Sequence, residues 1–188
     1  MSRQKDPGDP NTYRTSVDEV LPKLIWVGNQ AAAGDCNVVK AHKITMIVNC
    51  TSHLPFYHKK CNSGHCSNVK YVRIPVGDPG PPETPGWHGK SEIDTMYRMM
   101  PYVCKQIRQE LLAGGRVLIH CHAGAQRSAG LAAGYIMRYH CPAGWDRDRR
   151  YAESVHWLVK KRPAAFFGGT SVNFKEALVG RPLMICSL

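Results

Sequence analysis

Val117–Gly130 reads VLIHCHAGAQRSAG, which combines a predicted strand, a tight turn and the start of a predicted helix. The apolar run Val117–Ile119 predicts a buried strand, and helical spacing follows over Gly130–His140. A turn that opens a helix directs its backbone N–H groups into one concavity, which favours anions. Cys121 and Arg127 both lie in this turn. The segment therefore predicts an oxyanion-binding loop that carries a cysteine and an arginine.

Cys121 and Arg127 have the chemistry that attack on a phosphate ester requires. A guanidinium group can donate two parallel hydrogen bonds to two phosphate oxygens. The positive field of the loop favours the thiolate, which is the nucleophilic form of cysteine. The alternative interpretation of Cys121 is a small buried apolar residue, since free cysteines are usually buried. The register of Gly124, Arg127 and Ser128 with Cys121 favours the nucleophile.

The pattern His120-Cys121-x-x-Gly124-x-x-Arg127-Ser128 resembles the signature of the cysteine-dependent protein phosphatases, in particular their small dual-specificity branch. Other parts of the chain are similar to that branch as well: Val20–Asn29, Ile44–Asn49, Tyr71–Asp78, and Arg162-Pro163 with Asn173 and Phe174. The resemblance implies an α/β fold of the protein-tyrosine-phosphatase type. It also implies hydrolysis of phosphotyrosine and of phosphoserine or phosphothreonine through a cysteinyl-phosphate intermediate.

The resemblance further implies a role for each residue of the loop. Cys121 is the expected nucleophile and Arg127 the expected phosphate ligand, while Ser128 hydrogen-bonds the sulfur and eases its departure. His120 supports the loop from behind. The phosphate-binding loop itself consists of His122, Ala123, Gly124, Ala125, Gln126 and Arg127. Gln126 departs from the family pattern, which usually has serine before the arginine.

The leaving oxygen of the substrate must be protonated, which requires a carboxylic acid at a neighbouring strand end. Asp78 follows the predicted strand Tyr71–Val76, as the acid of related enzymes does. It precedes Cys121 by 43 positions, more than is expected of small family members. The alternatives Glu83, Glu92 and Asp94 therefore stay open, and so does a structural role for Asp78 in a turn before proline.

Strand and helix patterns alternate along the chain. The predicted strands are Leu24–Val27, Ile44–Cys50, Tyr71–Val76 and Val117–Cys121, and the predicted helices are Ala31–Ala41, Ser91–Leu112, Gly130–His140 and Arg147–Lys161. Pro101 should kink the second helix or divide it. The alternation favours a mostly parallel central sheet flanked by helices, with the ligand at the carboxyl ends of the strands.

The length and local composition predict one catalytic domain with a short tail. Residues 1–15 are polar and contain Pro7 and Pro10, which predicts a flexible N-terminal tail. Residues 16–188 are then a single phosphatase domain. Pro79–Lys90 is rich in proline and glycine and predicts a semi-rigid lid beside the active site.

Basic residues outnumber acidic ones by 25 to 14, which gives a formal net charge of +11. Such a charge favours acidic partners without choosing among them, and a basic surface alone also explains it. Phosphorylated proteins are the expected partners, with no required nucleic acid, no membrane span and no cofactor. The first alternative is the same chemistry on a phosphoinositide or an RNA 5′-phosphate, although the loop lacks the lysines common in phosphoinositide enzymes. The second is a non-catalytic phosphate-binding module, which the complete set of catalytic residues disfavours.

The chain has eight cysteines, and its polar N-terminus does not resemble a signal peptide. Because a thiolate enzyme needs a reducing compartment, free thiols are expected in the cytoplasm, with the nucleus as an alternative location. Cys50, after the predicted strand segment Ile44–Val48, is the candidate redox partner of an oxidised Cys121. Cys104 is the second candidate, and simple burial of Cys50 is equally compatible with its position.

The segment 54–68 carries four residues that can ligate zinc: His58, Cys61, His65 and Cys66. However, the Cys61-x4-Cys66 spacing is not that of a standard zinc pair, and no second pair lies nearby. A polar surface loop is the favoured interpretation, and no metal is predicted.

Overall fold

The computed structural model describes residues 14–58, 66, 68–77, 89–166 and 174–180. The strands in these ranges are β1 (Val17–Leu21), β2 (Ile25–Gly28), β3 (Met46–Asn49), β4 (Lys70–Arg73) and β5 (Val117–His120). The helices are α1 (Gln30–Gly34), α2 (Cys36–Ala41), α3 (Gly89–Leu112), α4 (Arg127–Tyr139), α5 (Arg147–Lys161) and α6 (Lys175–Leu178).

The five strands form one sheet in the order β1-β2-β5-β3-β4. Strand β1 is antiparallel to β2, and the other pairs are parallel. The register aligns Gly28, His120, Asn49 and Arg73, so the carboxyl ends of four strands share one edge. This arrangement confirms the predicted α/β fold with a mostly parallel sheet. It places Cys121, directly after β5, at the middle of that edge.

The side chains on both faces of β5 are buried, which explains its continuous apolar run. Val117 and Ile119 join the larger apolar cluster with residues of α3 and α4, and Cys121 belongs to the same cluster. Leu118 points to the opposite face and packs in a second cluster with Trp26 and Val39. The alternation of strand side chains therefore directs the residue after β5 toward the α3 and α4 side.

Several predicted boundaries differ from the observed ones. The predicted helix Ala31–Ala41 is two helices, because Asp35 adopts an extended conformation and its side chain accepts from the Asn37 N–H at the start of α2. Helix α3 continues through Pro101, so of the two predicted alternatives the division does not occur, and the kink stays a prediction. Proline removes only one N–H donor from this helix, which is long enough to tolerate the loss.

The other helices and strands differ less from the predictions. Helix α4 begins at Arg127 rather than at Gly130, since the Gly130 N–H already donates to the Gln126 carbonyl at 2.7 Å. Helix α5 has the predicted bounds, and Asp146 caps it by accepting from the Arg149 N–H at 2.8 Å. The observed strands β3, β4 and β5 are shorter than the predicted ones by one to three residues, and β2 is shifted by one residue.

Some predictions fall on undescribed parts of the chain. Residues 1–13 of the predicted tail, residues 79–88 of the predicted lid, and Asn173 lie outside the described residues. Phe174, which follows Asn173 in the segment that resembles the dual-specificity branch, is buried and packs against Gly130. Among the described residues, no helix is both long enough and apolar enough to cross a membrane. The predicted domain limits stay predictions.

Candidate active site

The sulfur of Cys121 lies inside the loop that joins β5 to α4. The side chain is only 2% exposed. The Gly124 N–H donates to the sulfur at 3.2 Å, and the Ser128 hydroxyl oxygen lies 3.3 Å from it. Gly124 has a φ of +74°, and a Cβ there would lie 2.5 Å from the Arg162 guanidinium and 2.6 Å from the Gly28 backbone. Only glycine fits this turn around the sulfur.

The loop carbonyls are held outward by donors from the rest of the chain. The carbonyl of His122 accepts from the Gln30 N–H at 3.0 Å, and that of Ala125 accepts from the Phe166 N–H at 2.9 Å. The Arg162 guanidinium donates to the carbonyls of Gly124 at 2.7 Å and of Ala123 at 3.3 Å. In a trans amide the N–H points away from the carbonyl, so the following N–H groups face the inside of the loop. The loop is thus a preformed ring of donors around Cys121.

The surroundings of Cys121 favour its thiolate. Burial alone would raise the pKa of the thiol, but the Arg127 guanidinium and the hydrogen bonds from Ser128 and from the Gly124 N–H lower it below its ordinary value. The N-terminus of α4 adds positive potential at the same place. A buried sulfur with these donors can act as a nucleophile toward an anion held in the loop.

Arg127 is the first residue of α4, and its side chain is buried. Its Nη1 donates to the Val76 carbonyl at 3.4 Å. This contact joins the loop to the segment after β4, which continues through Gly77 to Asp78. The guanidinium therefore lies between the Cys121 loop and the chain segment that was predicted to supply the general acid.

Arg162 is a positioning residue that the sequence analysis did not assign to the site. It is fully buried, and besides the two loop carbonyls it contacts Asp18 at 2.6 Å and the Ser16 hydroxyl at 3.2 Å. The Asp18 carboxylate balances its charge. The sequence signal was the Arg162-Pro163 pair directly after α5, where the chain leaves the helix.

His120 is the last residue of β5 and is buried directly before the Cys121 loop, and its supporting role stays a prediction. The Nδ1 atom is 3.4 Å from the Cys121 carbonyl oxygen. Burial, together with the charges of Arg73 and Arg127, lowers the pKa of His120 to about 4, although the contact with the Cys121 carbonyl opposes this shift. The imidazole is therefore neutral at neutral pH. Because a carbonyl can only accept, the proton of the neutral ring lies on Nδ1 in this contact.

Two of the four candidate acids, Asp78 and Glu83, lie outside the described residues. Glu92, in the first turn of α3, accepts from the Gly77 N–H at 2.5 Å. Glu92 thus anchors the residue before Asp78, and Asp94 lies farther along the same helix.

Gln126 lies within the loop, and Cys50 lies beside it directly after β3. Gln126 occupies the N-cap position of α4, and its side chain makes no capping hydrogen bond there. The Cys50 N–H donates to the His120 carbonyl at 2.8 Å, which continues the β3–β5 ladder and makes Cys50 a neighbour of Cys121. Burial and the adjacent Cys121 raise the pKa of Cys50 well above its ordinary value. Its redox role stays a prediction.

The predicted polar surface loop at 54–68 is wrong for His58 and Cys66, which are buried. His58 is 4% exposed and Cys66 is 1% exposed. Both lie against Cys36 of α2, which the sequence analysis did not connect with them because it is far away in the chain. Cys61 and His65 lie outside the described residues.

The comparisons with known proteins agree with this geometry. The family model described as dual specificity phosphatase, catalytic domain, matches residues 25–147, which is more than half of the chain. Dual specificity protein phosphatase 18 of Rattus norvegicus is 26% identical over 69% of this chain and 57% of its own length. Dual specificity protein phosphatase 14 of Homo sapiens is 27% identical over 86% of this chain and 70% of its own length.

A solved structure shows the same fold. Human DUSP28 matches with a TM-score of 0.64 and 21% identity, over 88% of this chain and 92% of that protein. At this identity the match shows the fold alone, whereas the family model covers β2, β3, β4, β5 and the complete Cys121 loop. The chain belongs to the dual specificity phosphatase catalytic-domain family and is a protein phosphatase.

Proposed function

We propose that this chain hydrolyses phosphotyrosine and phosphoserine or phosphothreonine in protein substrates through a cysteinyl-phosphate intermediate on Cys121. The observation that carries the proposal is the ring of outward carbonyls, which leaves the loop N–H groups directed at the space in front of the sulfur. Three equatorial phosphoryl oxygens can accept from these N–H groups and from the Arg127 guanidinium. The donors are in place before the substrate binds, so little reorganisation is needed.

In the first step the Cys121 thiolate attacks phosphorus and forms the S–P bond. The bond between phosphorus and the ester oxygen breaks, and the protonated Asp78 carboxyl donates its proton to the leaving oxygen. In the second step a water molecule attacks phosphorus, Asp78 accepts its proton, and the S–P bond breaks. Ser128 donates to the departing thiolate, which its 3.3 Å distance from the sulfur supports. The products are inorganic phosphate and the free hydroxyl side chain.

The proposal also covers the binding partners and the cellular location of the protein. Phosphorylated proteins are the proposed partners, since the chain has a formal net charge of +11 and family membership implies phosphoprotein substrates. The cytoplasm is the proposed location, with the nucleus as the alternative. The six cysteines within the described residues are free thiols, which is compatible with a reducing compartment.

Cys50 is the proposed redox partner of Cys121. Oxidation of the Cys121 thiolate by peroxide gives a sulfenic acid, and attack by the Cys50 sulfur would form a disulfide with loss of water. The adjacent strand positions of the two residues support this step. After mild peroxide treatment, recovery of activity with dithiothreitol should be lower in Cys50→Ser than in the wild type. Equal recovery in Cys50→Ser and the wild type would remove Cys50 from this role. Lower recovery in Cys104→Ser would instead favour Cys104, the second candidate.

A substrate panel tests the proposed function. Phosphotyrosine, phosphoserine and phosphothreonine peptides should release phosphate, and Cys121→Ser should abolish the release without loss of the fold. Phosphoinositide vesicles and 5′-triphosphorylated RNA are the comparison substrates. Turnover of either one at a higher kcat/KM than every phosphopeptide would overturn the proposal. Binding of phosphopeptides without any turnover would instead indicate a non-catalytic phosphate-binding module.

A further inference from the structure

Three metal-ligating side chains meet on the face of the sheet opposite α3 and α4. The Cys36 sulfur lies 3.3 Å from the His58 Nδ1 atom and 3.3 Å from the Cys66 sulfur. All three ligand atoms lie within 4.8 Å of one another. Cys36 begins α2, His58 lies in the segment after β3, and Cys66 lies shortly before β4. Three separate parts of the chain thus converge on one point.

The orientation of His58 is fixed by a hydrogen bond at its other nitrogen. The Nε2 atom lies 2.8 Å from the carbonyl oxygen of Ala33 in α1. Because a carbonyl can only accept, Nε2 carries the proton and Nδ1 presents its lone pair to the two sulfurs. Metal-ligating histidines in proteins typically donate their second N–H to a carbonyl or carboxylate in this way. Burial also lowers the pKa of His58, which favours the neutral ring.

The ligand spacing is close to that of a tetrahedral zinc site. Bond lengths of about 2.3 Å to sulfur and 2.0–2.1 Å to nitrogen place neighbouring ligand atoms about 3.6–3.8 Å apart. The two observed spacings of 3.3 Å differ from this by a few tenths of an ångström. The remaining pair, the His58 Nδ1 atom and the Cys66 sulfur, lies within 4.8 Å. A disulfide between the cysteines would need the sulfurs to approach to about 2.05 Å and would leave Nδ1 without a donor or a metal.

We propose that Cys36, His58 and Cys66 bind one Zn²⁺ ion, with water in the fourth position. Two thiolates and an imidazole select a soft divalent ion such as zinc over magnesium or calcium. Binding releases the two thiol protons, and two thiolates with Zn²⁺ form a neutral group that suits a buried site. The ion would tie the β3–β4 connection to α1 and α2. It takes no part in the reaction.

The proposed zinc site has one structural link to the Cys121 loop. Helix α1 holds the Ala33 carbonyl that orients His58, and its first residue, Gln30, donates through its N–H to the His122 carbonyl. Zinc should therefore act on stability first and on activity only through the position of α1. A metal bound to the folded state alone raises the melting temperature by mass action.

The first experiment measures metal binding in the full chain with the Cys121→Ser substitution, which removes the active-site thiolate as a competing ligand. After removal of metal with a chelator, titration with Zn²⁺ should show one equivalent bound and a rise in Tm. Co²⁺ should give a sulfur-to-metal charge-transfer band in the near ultraviolet. Absence of this band, or recovery of Cys36 and Cys66 as a disulfide from the protein as isolated, would overturn the proposal.

Ligand variants then locate the site. Cys36→Ser and Cys66→Ser should lose the charge-transfer band and the zinc-dependent rise in Tm. Cys141→Ser is the matched control, since Cys141 is a partly buried free thiol near Ser154 on another part of the fold. His58→Cys keeps a ligand in place and should retain Co²⁺ with a stronger charge-transfer band. Unchanged binding in the Cys36 and Cys66 variants, or an unchanged band in His58→Cys, would show that the metal is elsewhere.

Discussion

The Ser128 hydroxyl oxygen lies 3.3 Å from the Cys121 sulfur, one residue into the helix whose N-terminus faces the loop. A hydroxyl at this distance can donate to the thiolate and stabilise it. The stabilisation is needed most when the S–P bond breaks, because negative charge then returns to sulfur. Ser128 is therefore expected to act mainly on the second step of the reaction.

Ser128→Ala should slow breakdown of the phosphoenzyme more than its formation. A hydrogen bond to a charged group contributes roughly 1.5–3 kcal/mol, so kcat should fall about 10- to 100-fold. Rapid mixing with an aryl phosphate should show a burst of phenol close to one equivalent, followed by slow turnover. Ser154→Ala, which changes a buried serine next to Cys141, is the control. A variant without a burst would place the effect on the first step.

Asp78→Asn should lower kcat strongly for alkyl phosphates and less for aryl phosphates with acidic phenols. A good leaving group needs little protonation, so loss of the acid matters less for it. Steady-state assays with a series of leaving groups measure this difference. Glu92→Gln is the comparison, because Glu92 anchors Gly77 and its loss should lower kcat for all leaving groups alike. A loss that depends on the leaving group in Glu92→Gln, together with a uniform loss in Asp78→Asn, would identify Glu92 as the acid.

Arg162→Met should destabilise the fold and slow catalysis together. The variant leaves the carbonyls of Ala123 and Gly124 without their donor and the Asp18 carboxylate without its partner. Each buried carbonyl that loses its donor is expected to lower the free energy of unfolding by about 1–3 kcal/mol. Urea unfolding measures the loss. Asp18→Asn, at the more exposed end of the network, should lower the free energy of unfolding much less. Equal losses in the two variants would contradict the positioning role of Arg162.

His120 should contribute to the pH dependence of stability. Its pKa in the folded protein is about 4, below the ordinary value of 6.5, so the unfolded chain binds the proton first. The contribution of His120 to the free energy of unfolding is thus fully present above pH 6.5. It is lost as the pH falls toward 4, by up to about 3 kcal/mol. Urea unfolding of His120→Asn over this range should give a flatter dependence than the wild type. Since His58 and His140 shift in the same direction, some slope should remain.

The loop was predictable because its chemistry lies in nine consecutive residues, His120–Ser128. Cys121, Arg127 and Ser128 are set by one strand–turn–helix unit, and the apolar runs of β3 and β5 indicate a buried sheet. The contacts of Arg162 were not predictable, since 38 positions separate it from Gly124 and no local pattern links them.

The cluster of Cys36, His58 and Cys66 was missed for the same physical reason. Its members come from three segments, and only the packing of α1 and α2 against the sheet brings Cys36 to Cys66. The polar composition of 54–68 suggested exposure, yet His58 is buried because the Ala33 carbonyl satisfies its ring N–H. Long-range packing and hydrogen bonding therefore determine the burial of this cluster, which local composition does not predict.

The covalent intermediate on Cys121 is the central claim, and its direct measurement is the mass of the enzyme quenched in acid during turnover. Ser128→Ala is the protein to use, since slow breakdown should make the intermediate accumulate. The intact chain should gain the mass of one phosphoryl group, and peptide mapping should locate it on Cys121. The same experiment on Cys121→Ser should show no gain. Turnover without any phosphorylated Cys121 peptide, or with the phosphoryl group on another residue, would contradict the account.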